Sequence, residues 1–305
     1  MSISVKILGS NAASFAYNRH HTSQIIEVDN KHFMIDCGES TQLQAKKYHV
    51  KLSKINHILI SHLHGDHYYG LIGLLSTMHL YGRKHPLSLI GPPGLSEIIT
   101  IQLKHSRTVF NFPIELTEWK EDVQELLIDL PKLTIKSIPM KHSIPCAGFL
   151  FEEKPNLRRL NKTHLNETLN PSEIKQLKAG IDVIHEDSSI KYLNQKFTLP
   201  PRKHHSYAFC SDTKYHKDLV KWIKGVDLLY HEATFMEDMK ERASLTYHTT
   251  AAQAGQMATA AEVGKLIVGH FSTRYKDLNP LLKEVQAEFE NARLALEGYI
   301  FELNE

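Results

Sequence analysis
The chain has 305 residues, 42% of them apolar and 23% charged, with a formal net charge of +2. That is ordinary for a soluble globular protein, allows one large domain or two small ones, and does not by itself demand a nucleic-acid partner. The start, Met1-Ser2-Ile3-Ser4-Val5-Lys6, has no basic region followed by a long apolar segment, and no apolar run is long enough to span a bilayer. Neither a signal peptide nor a membrane is expected. Cys37, Cys146 and Cys210 are odd in number, contain no CxxC spacing and sit among apolar residues, so buried free thiols in a reducing cytosol are expected rather than disulfides.

In chain order, short runs rich in β-branched and aromatic residues predict strands over Val5–Leu8, Gln24–Val28 and Phe33–Ile35. Gly38-Glu39-Ser40 opens a helical pattern near Gln42–Tyr48. The apolar stretch Ile55–Ser61 reads as a buried strand, and helical spacing resumes from Leu71 to Leu80. Between the last two lies His62-Leu63-His64-Gly65-Asp66-His67, three imidazoles and one carboxylate in six residues on a strand-to-helix loop. The chain has 20 histidines, so an isolated His-x-His pair means little. The full His-x-His-x-Asp-His pattern is expected only ~0.003 times by chance in this composition, which favours a metal site over a polar surface loop. Imidazole nitrogen and carboxylate oxygen are the ligands of zinc and similar borderline metals. His20, His21, His79, His85, His204 and His205 lack any such pattern and read as exposed or satisfied polar residues.

Further along, Leu87–Ile90 reads as strand and Gly94–Leu103 as helix, followed by strands at Glu125–Asp129, Leu133–Ile138 and Gly148–Glu152. The last third predicts strands at Tyr207–Cys210, Asp227–Tyr230 and Leu266–Val268, with helices at Lys217–Ile223, Thr250–Val263 and Pro280–Leu296. Strands grouped in each half with helices outside them suggest two sheets packed face to face between helical layers, an α/β sandwich formed by 1–305 as a single domain. Lys154–Lys203 stands apart: it is polar, with ten Lys or Arg against five Asp or Glu. It reads as an inserted basic arm, with a helix over Ser172–Lys178 that follows Pro171, carries Glu173 in its first turn and lacks a capping glutamate three residues after Ser172.

A two-metal site needs more ligands than the first run supplies. Three candidates sit where later strands stop: His142 after 133–138, Asp212 after 207–210 and His270 after 266–268. One chemically sensible partition gives His62, His64 and His142 to one metal, Asp66, His67 and His270 to a second, and Asp212 as the bridge. Two metals roughly 3.5–4 Å apart can present a nucleophile at neutral pH and stabilise the departing oxygen of a phosphodiester.

At this point the chain resembles the metallo-β-lactamase superfamily and, within it, the ribonuclease Z family of tRNA 3′-processing endonucleases. The resemblance spans nearly the whole length. It is carried by Ile35-Asp36-Cys37-Gly38-Glu39-Ser40-Thr41-Gln42, by the histidine run, by His231-Glu232-Ala233-Thr234, by His248-Thr249-Thr250 and by Gly269-His270-Phe271-Ser272-Thr273-Arg274-Tyr275. The histidine run marks only the superfamily; the later segments and the arm narrow it. The resemblance implies a four-layer αββα metallo-β-lactamase-like sandwich with an arm at 154–203 that grips tRNA, two zinc ions per subunit, a cytoplasmic setting and a homodimer. It implies hydrolysis of one phosphodiester of precursor tRNA after the discriminator base, leaving a tRNA 3′-hydroxyl and a trailer 5′-phosphate. By resemblance Asp66 is the proton acceptor and His248 protonates the leaving oxygen; Glu232 is read as orienting His248. Ser272 and Arg274 are expected to hold the scissile phosphate, since an Arg fork matches phosphate oxygens and stays charged.

Two stretches depart from the family pattern. Phe15-Ala16-Tyr17-Asn18-Arg19-His20 stands where many members have Pro-Thr-Lys-x-Arg-Asn, a stretch that bears on how mature tRNA ends are avoided, and only Arg19 is retained. In the arm, Asn170-Pro171-Ser172 replaces a Gly-Pro pair before Leu177-Lys178-Ala179-Gly180. The alternatives are a hydrolase of small phosphodiesters, thioesters or lactones, which needs no basic arm, and a non-catalytic RNA-binding module with a structural metal.

Overall fold
The computed structural model describes residues 3–164 and 169–303; residues 165–168, inside the arm expected over 154–203, and the chain ends lie outside the described residues. The first strands are β1 (Ile3–Gly9), β2 (Ser23–Val28), β3 (Lys31–Ile35), β4 (Ile55–Leu59), β5 (Leu87–Gly91) and β6 (Ile114–Glu118). There follow β7 (Leu126–Leu130), β8 (Leu133–Pro139) and β9 (Ala147–Glu153), then four short strands, β10 (Arg159–Leu160), β11 (Val183–Ile184), β12 (Ile190–Tyr192) and β13 (Thr198–Leu199). The chain ends with β14 (Ser206–Cys210), β15 (Leu228–Glu232), β16 (Lys265–Gly269), β17 (Ala292–Leu294) and β18 (Ile300–Leu303).

Fourteen of these strands make two seven-stranded sheets, in the orders β18-β1-β2-β3-β4-β5-β6 and β17-β16-β15-β14-β9-β8-β7. In the first sheet β3 to β6 run parallel, and in the second β14 to β17 do. Central parallel strands are covered on both faces, which is why β15 (Leu-Leu-Tyr-His-Glu) is buried at every position while β1 partly alternates. Between the sheets, Phe33 meets Phe151 edge to face at 5.6 Å, and the Tyr207 hydroxyl donates to Gln24. Outside the first sheet the Leu71–Leu80 and Leu95–Ser106 helices bury Leu71, Leu74, Met78 and Ile99 against Leu8, Met34 and Ile58. Outside the second, the Ala251–Ala260 and Asn279–Glu288 helices bury Ala254, Ala258, Leu281 and Val285 against Leu229 and Leu266. The layers are αββα, as the strand grouping suggests.

The described residues form two compact units, and both sheets belong almost wholly to the larger one, within 3–130, 134–152 and 205–303. The smaller comprises 131–133, 153–164 and 169–204. It has its own small core of Leu177, Val183, Tyr192 and Phe197, two two-stranded ribbons (β10 with β13, β11 with β12) and, among the described residues, the helix Pro171–Lys178 and the single turn Asn194–Phe197. The Pro171–Lys178 helix starts one residue before the expected Ser172 and does carry a capping box. The Asn170 side chain accepts from the Glu173 amide at 3.0 Å, and Glu173 accepts from the Asn170 amide at 2.8 Å. Pro171 fits the first helical position because the N–H it lacks has no partner there.

Other expectations need correction. The helix expected over Pro280–Leu296 stops at Glu288, and Ala292–Leu294 is the edge strand β17. Ala292, Leu294 and Leu296 alternate with a period of two, a strand signal that the preceding helical pattern obscures. The Lys217–Ile223 helix begins as a 3₁₀ turn, Lys217–Leu219. β6, β18 and the Lys240–Leu245 helix are additions to the expected elements. All three cysteines are buried and unpaired.

Candidate active site
Parallel strands release their C-terminal ends along one edge, so the residues that follow them converge. Asp36 follows β3, Ser61 and His62 come shortly after β4, Asp212 follows β14 closely, Glu232 ends β15 and His270 follows β16. Asp36, Asp212 and His270 have positive φ, at 56°, 30° and 58°. A non-glycine residue held there costs about 1–3 kcal/mol, a cost typical of functional sites.

The structure brings all seven expected ligands together in two sets. Side-chain donors of His62, His64, His142 and Asp212 lie within 4.8 Å of one another, and so do those of Asp66, His67 and His270. Nδ1 of His64 is 3.1 Å from Nε2 of His62 and 3.0 Å from Nε2 of His142. Nε2 of His67 and of His270 are 3.3 Å apart. Asp212 faces both sets: its Oδ1 is 3.2 Å from His67 and from His270, while its Oδ2 is 3.6 Å from His62 and 3.8 Å from His142. Imidazole lone pairs cannot all be satisfied by one another when several point at one spot, whereas a cation at their focus satisfies them together.

The electrostatics agree. Burial, reinforced by the neighbouring His67, drives His62 well below the usual imidazole range, so it is neutral, the form that ligates. Burial also opposes charge on His67, but Asp212, Asp66 and Asp36 outweigh it and pull that ring well above its ordinary range. The positive charge these carboxylates draw onto His67 is charge that a divalent cation supplies when bound. The donor set of nitrogen and oxygen fits borderline divalent metals.

Behind the ligands lies a shell that orients them. Asp36, fully buried, takes the Nδ1 side of His67 at 2.7 Å, the Ser61 amide at 2.7 Å and the Ser61 hydroxyl at 2.8 Å. Ser61 Oγ is also 3.0 Å from His62 Nδ1. Thr234 Oγ1 is 2.9 Å from His270 Nδ1, and the Tyr247 carbonyl is 3.2 Å from His142 Nδ1. Such partners fix which ring nitrogen faces the metal. Asp36 and Thr234 lie inside the family motifs, yet sequence reasoning assigns neither a role; the available signal is a polar residue within two positions of a strand's end, after Ile35 and after Glu232.

Glu232 and His248 are brought together as expected, with Oε1 3.0 Å from Nδ1. Glu232 is fully buried and also accepts from the Thr213 amide at 2.6 Å, the Thr249 amide at 3.1 Å and the Thr234 hydroxyl at 2.5 Å. His248 is held from the other side because Thr250 caps the Ala251–Ala260 helix through a capping box with Gln253. Burial opposes a charged His248, but Glu232, by charge and hydrogen bond, with Asp212 and Asp66 behind it, lifts the ring to about 9. The ring centroid lies 5.4 Å from that of His142 and 5.3 Å from that of His270, within reach of both ligand sets.

These groups open on a cavity of about 690 Å³ lined by His64, Asp66, Asp212, His248 and His270. Ser272 and Arg274 line it as expected, and so does Arg242, which sequence reasoning misses because nothing in the short Lys240–Leu245 helix that carries it forms a motif. His21 lines it too; it is 7% exposed rather than on the surface, and the Ala13 backbone is its hydrogen-bond partner.

Comparison with known proteins places this geometry. The profile of the family described as anti-Pycsar protein Apyc1 matches residues 3–154. A ribonuclease Z of Cytophaga hutchinsonii is 49% identical over 301 residues, 99% of this chain and 96% of that one. A ribonuclease Z of Bacteroides thetaiotaomicron is 40% identical over 299 residues, 98% and 94% of the two chains. The crystal structure of the short form of human tRNase Z superposes with a TM-score of 0.72 at 24% identity, covering 98% of each chain. Fold and site together define a metal-dependent hydrolase of the metallo-β-lactamase fold. Within that class, the near full-length identity to its relatives shows that the chain belongs to the ribonuclease Z family, and it is an endoribonuclease.

Proposed function
We propose that this enzyme removes the 3′ trailer of precursor tRNA, cutting after the discriminator base to leave a tRNA 3′-hydroxyl and a trailer 5′-phosphate. The observation that carries the reading is the buried Glu232–His248 pair set beside the two ligand sets, in a chain that relatives named ribonuclease Z match along nearly their whole length. His62, His64 and His142 would hold one zinc ion, Asp66, His67 and His270 the other, with Asp212 between them. When bound, the ions lower the pKa of water and offset charge building on the phosphate.

The side chains do the rest. Asp66 is kept ionised because His67 and His270 overcome the penalty of burial, and the Ala13 amide holds its Oδ2 at 2.8 Å. It accepts a proton from the attacking water. Arg274 and Arg242, with Ser272, hold the phosphate oxygens. As water bonds to phosphorus and the P–O3′ bond breaks, protonated His248 gives its proton to the departing O3′, and Glu232 stabilises the ring throughout. The general acid then needs a proton back before the next turnover.

The smaller unit carries the other half of the reading. A cavity of about 680 Å³ there is lined by Lys132, Lys154, Arg158, Arg159, Lys162, Lys178 and Arg202. Such a surface suits phosphates gripped by shape and charge rather than by base sequence. We propose the 153–204 segment as the tRNA-gripping arm, and a cytoplasmic homodimer as the working form. No helix among the described residues is long and apolar enough to cross a membrane.

The test is a comparison of kcat/KM on a trailer-bearing precursor tRNA and on bis(p-nitrophenyl) phosphate, for the full protein and a variant with Arg158, Arg159 and Arg202 changed to Glu. A tRNA enzyme loses precursor cleavage and keeps hydrolysis of the small diester. Equal activity of both proteins on the precursor contradicts the reading and favours a hydrolase of small phosphodiesters.

A further inference from the structure
The loop ahead of β2 carries groups that the hydrolytic chemistry does not use. Phe15 and Tyr17 are 45% and 49% exposed. Each is backed on one side. The Phe15 ring lies over His21, with centroids 4.2 Å apart and planes 32° apart, and the Arg19 guanidinium sits 5.1 Å from the Tyr17 ring centroid. The loop is held rigidly. Arg19 donates to Asn11 Oδ1 at 3.0 Å, to the Tyr275 carbonyl at 2.6 Å and to the Lys276 carbonyl at 3.3 Å. The guanidinium that survives from the family stretch is thus committed to holding the loop rather than to phosphate.

The loop is also tied to the metal site, through the hydrogen bond from the Ala13 amide to Asp66. Phe15 is two residues further on, at most ~7 Å of chain away. Gly38 lets the crossing be this tight: a Cβ there would sit 2.4 Å from both the Asp66 carbonyl and the His21 Cβ. His21, buried on the cavity wall with the Ala13 backbone as a hydrogen-bond partner, gives the Phe15 ring a fixed backing.

We propose that Phe15, backed by His21 and flanked by Tyr17, is a stacking platform for the unpaired base of a nucleotide adjoining the scissile phosphate. The inference rests on the ribonuclease reading of the site. Single-stranded RNA is held by bases stacked on exposed aromatic rings, and a ring pre-set by a rigid loop loses little freedom on binding. The platform therefore selects a nucleotide that is free to unstack at the cut.

Phe15→Ala tests this with two substrates, an intact precursor and one with an abasic residue beside the cut, placed on either side in turn. With the parent enzyme, kcat/KM falls about tenfold at one of the two abasic positions. Phe15→Ala falls about as far on the intact precursor and no further on the abasic one, while Phe15→Trp restores the parent value. An equal penalty from Phe15→Ala on intact and abasic substrates overturns the platform. A second measurement needs no cleavage. A short oligoribonucleotide carrying 2-aminopurine should lose fluorescence on binding the parent and keep it on binding Phe15→Ala. No quenching by the parent overturns the platform even if precursor tRNA is cut. Quenching without precursor cleavage contradicts the tRNA reading and leaves the platform standing.

Discussion

Replacing Glu232 by Gln removes the charge that keeps His248 protonated and leaves the side-chain shape almost unchanged. The structure holds His248 at about 9, against an ordinary 6.5. At pH 8 a ring titrating at about 9 is roughly nine-tenths protonated, whereas one titrating at 6.5 is about one-thirtieth protonated. If His248 supplies the leaving-group proton, kcat/KM of Glu232→Gln falls about 30-fold at pH 8 and stays within about twofold of the parent at pH 6. The sign follows from the raised pKa: the acid is available below about 9 and lost as pH rises through it, and in the variant it is lost at lower pH. The side-chain amide that Glu232→Gln introduces also turns an N–H towards donors that one carboxylate oxygen accepted, the Thr213 amide at Oε1 or the Thr249 amide and Thr234 hydroxyl at Oε2, at a cost of about 1–3 kcal/mol. A melting curve reports that cost, and comparing rates across pH within one variant separates it from catalysis. The assay is the pH dependence of kcat/KM on a trailer-bearing precursor. An alkaline limb at the same pH in parent and variant refutes the role given to the pair.

Asp36→Asn weakens the hold on His67 and Ser61, and metal affinity falls about 10–100-fold, measured by competition with a chromogenic chelator. Arg242→Ala raises KM for precursor tRNA about tenfold and leaves metal content, read by atomic emission, unchanged; it also reduces the slope of log(kcat/KM) against log[salt] by about one phosphate contact. Asn170→Ala removes the capping box of the Pro171–Lys178 helix and costs about 1 kcal/mol locally, visible as faster hydrogen exchange of that helix's amides while the two large sheets keep their protection.

The ligand loops are legible in the sequence because metal chemistry restricts residue type and spacing. His62 through His67 form a pattern that composition rarely produces, and strand ends narrow the choice of His142, Asp212 and His270. The groups behind them are not, since Asp36, Ser61 and Thr234 act through contacts between segments far apart in the chain. Asp36 reaches His67 across 31 residues, and no local pattern records that. His21 reads as an ordinary polar histidine because its neighbours show no motif; only its burial against Phe15 sets it apart. The Pro280–Leu296 stretch shows the converse failure, in which a helical period carried past Glu288 hides the two-residue alternation of an edge strand.

The most direct test is to map both product ends at nucleotide resolution after incubating a trailer-bearing precursor tRNA with the zinc-loaded protein, with the chelated protein, and with the chelated protein given zinc again. The account predicts a single cut after the discriminator base, a 3′-hydroxyl on the tRNA and a 5′-phosphate on the trailer, lost on chelation and regained with zinc. A 2′,3′-cyclic phosphate end, scattered cuts, or cutting that survives chelation would contradict it.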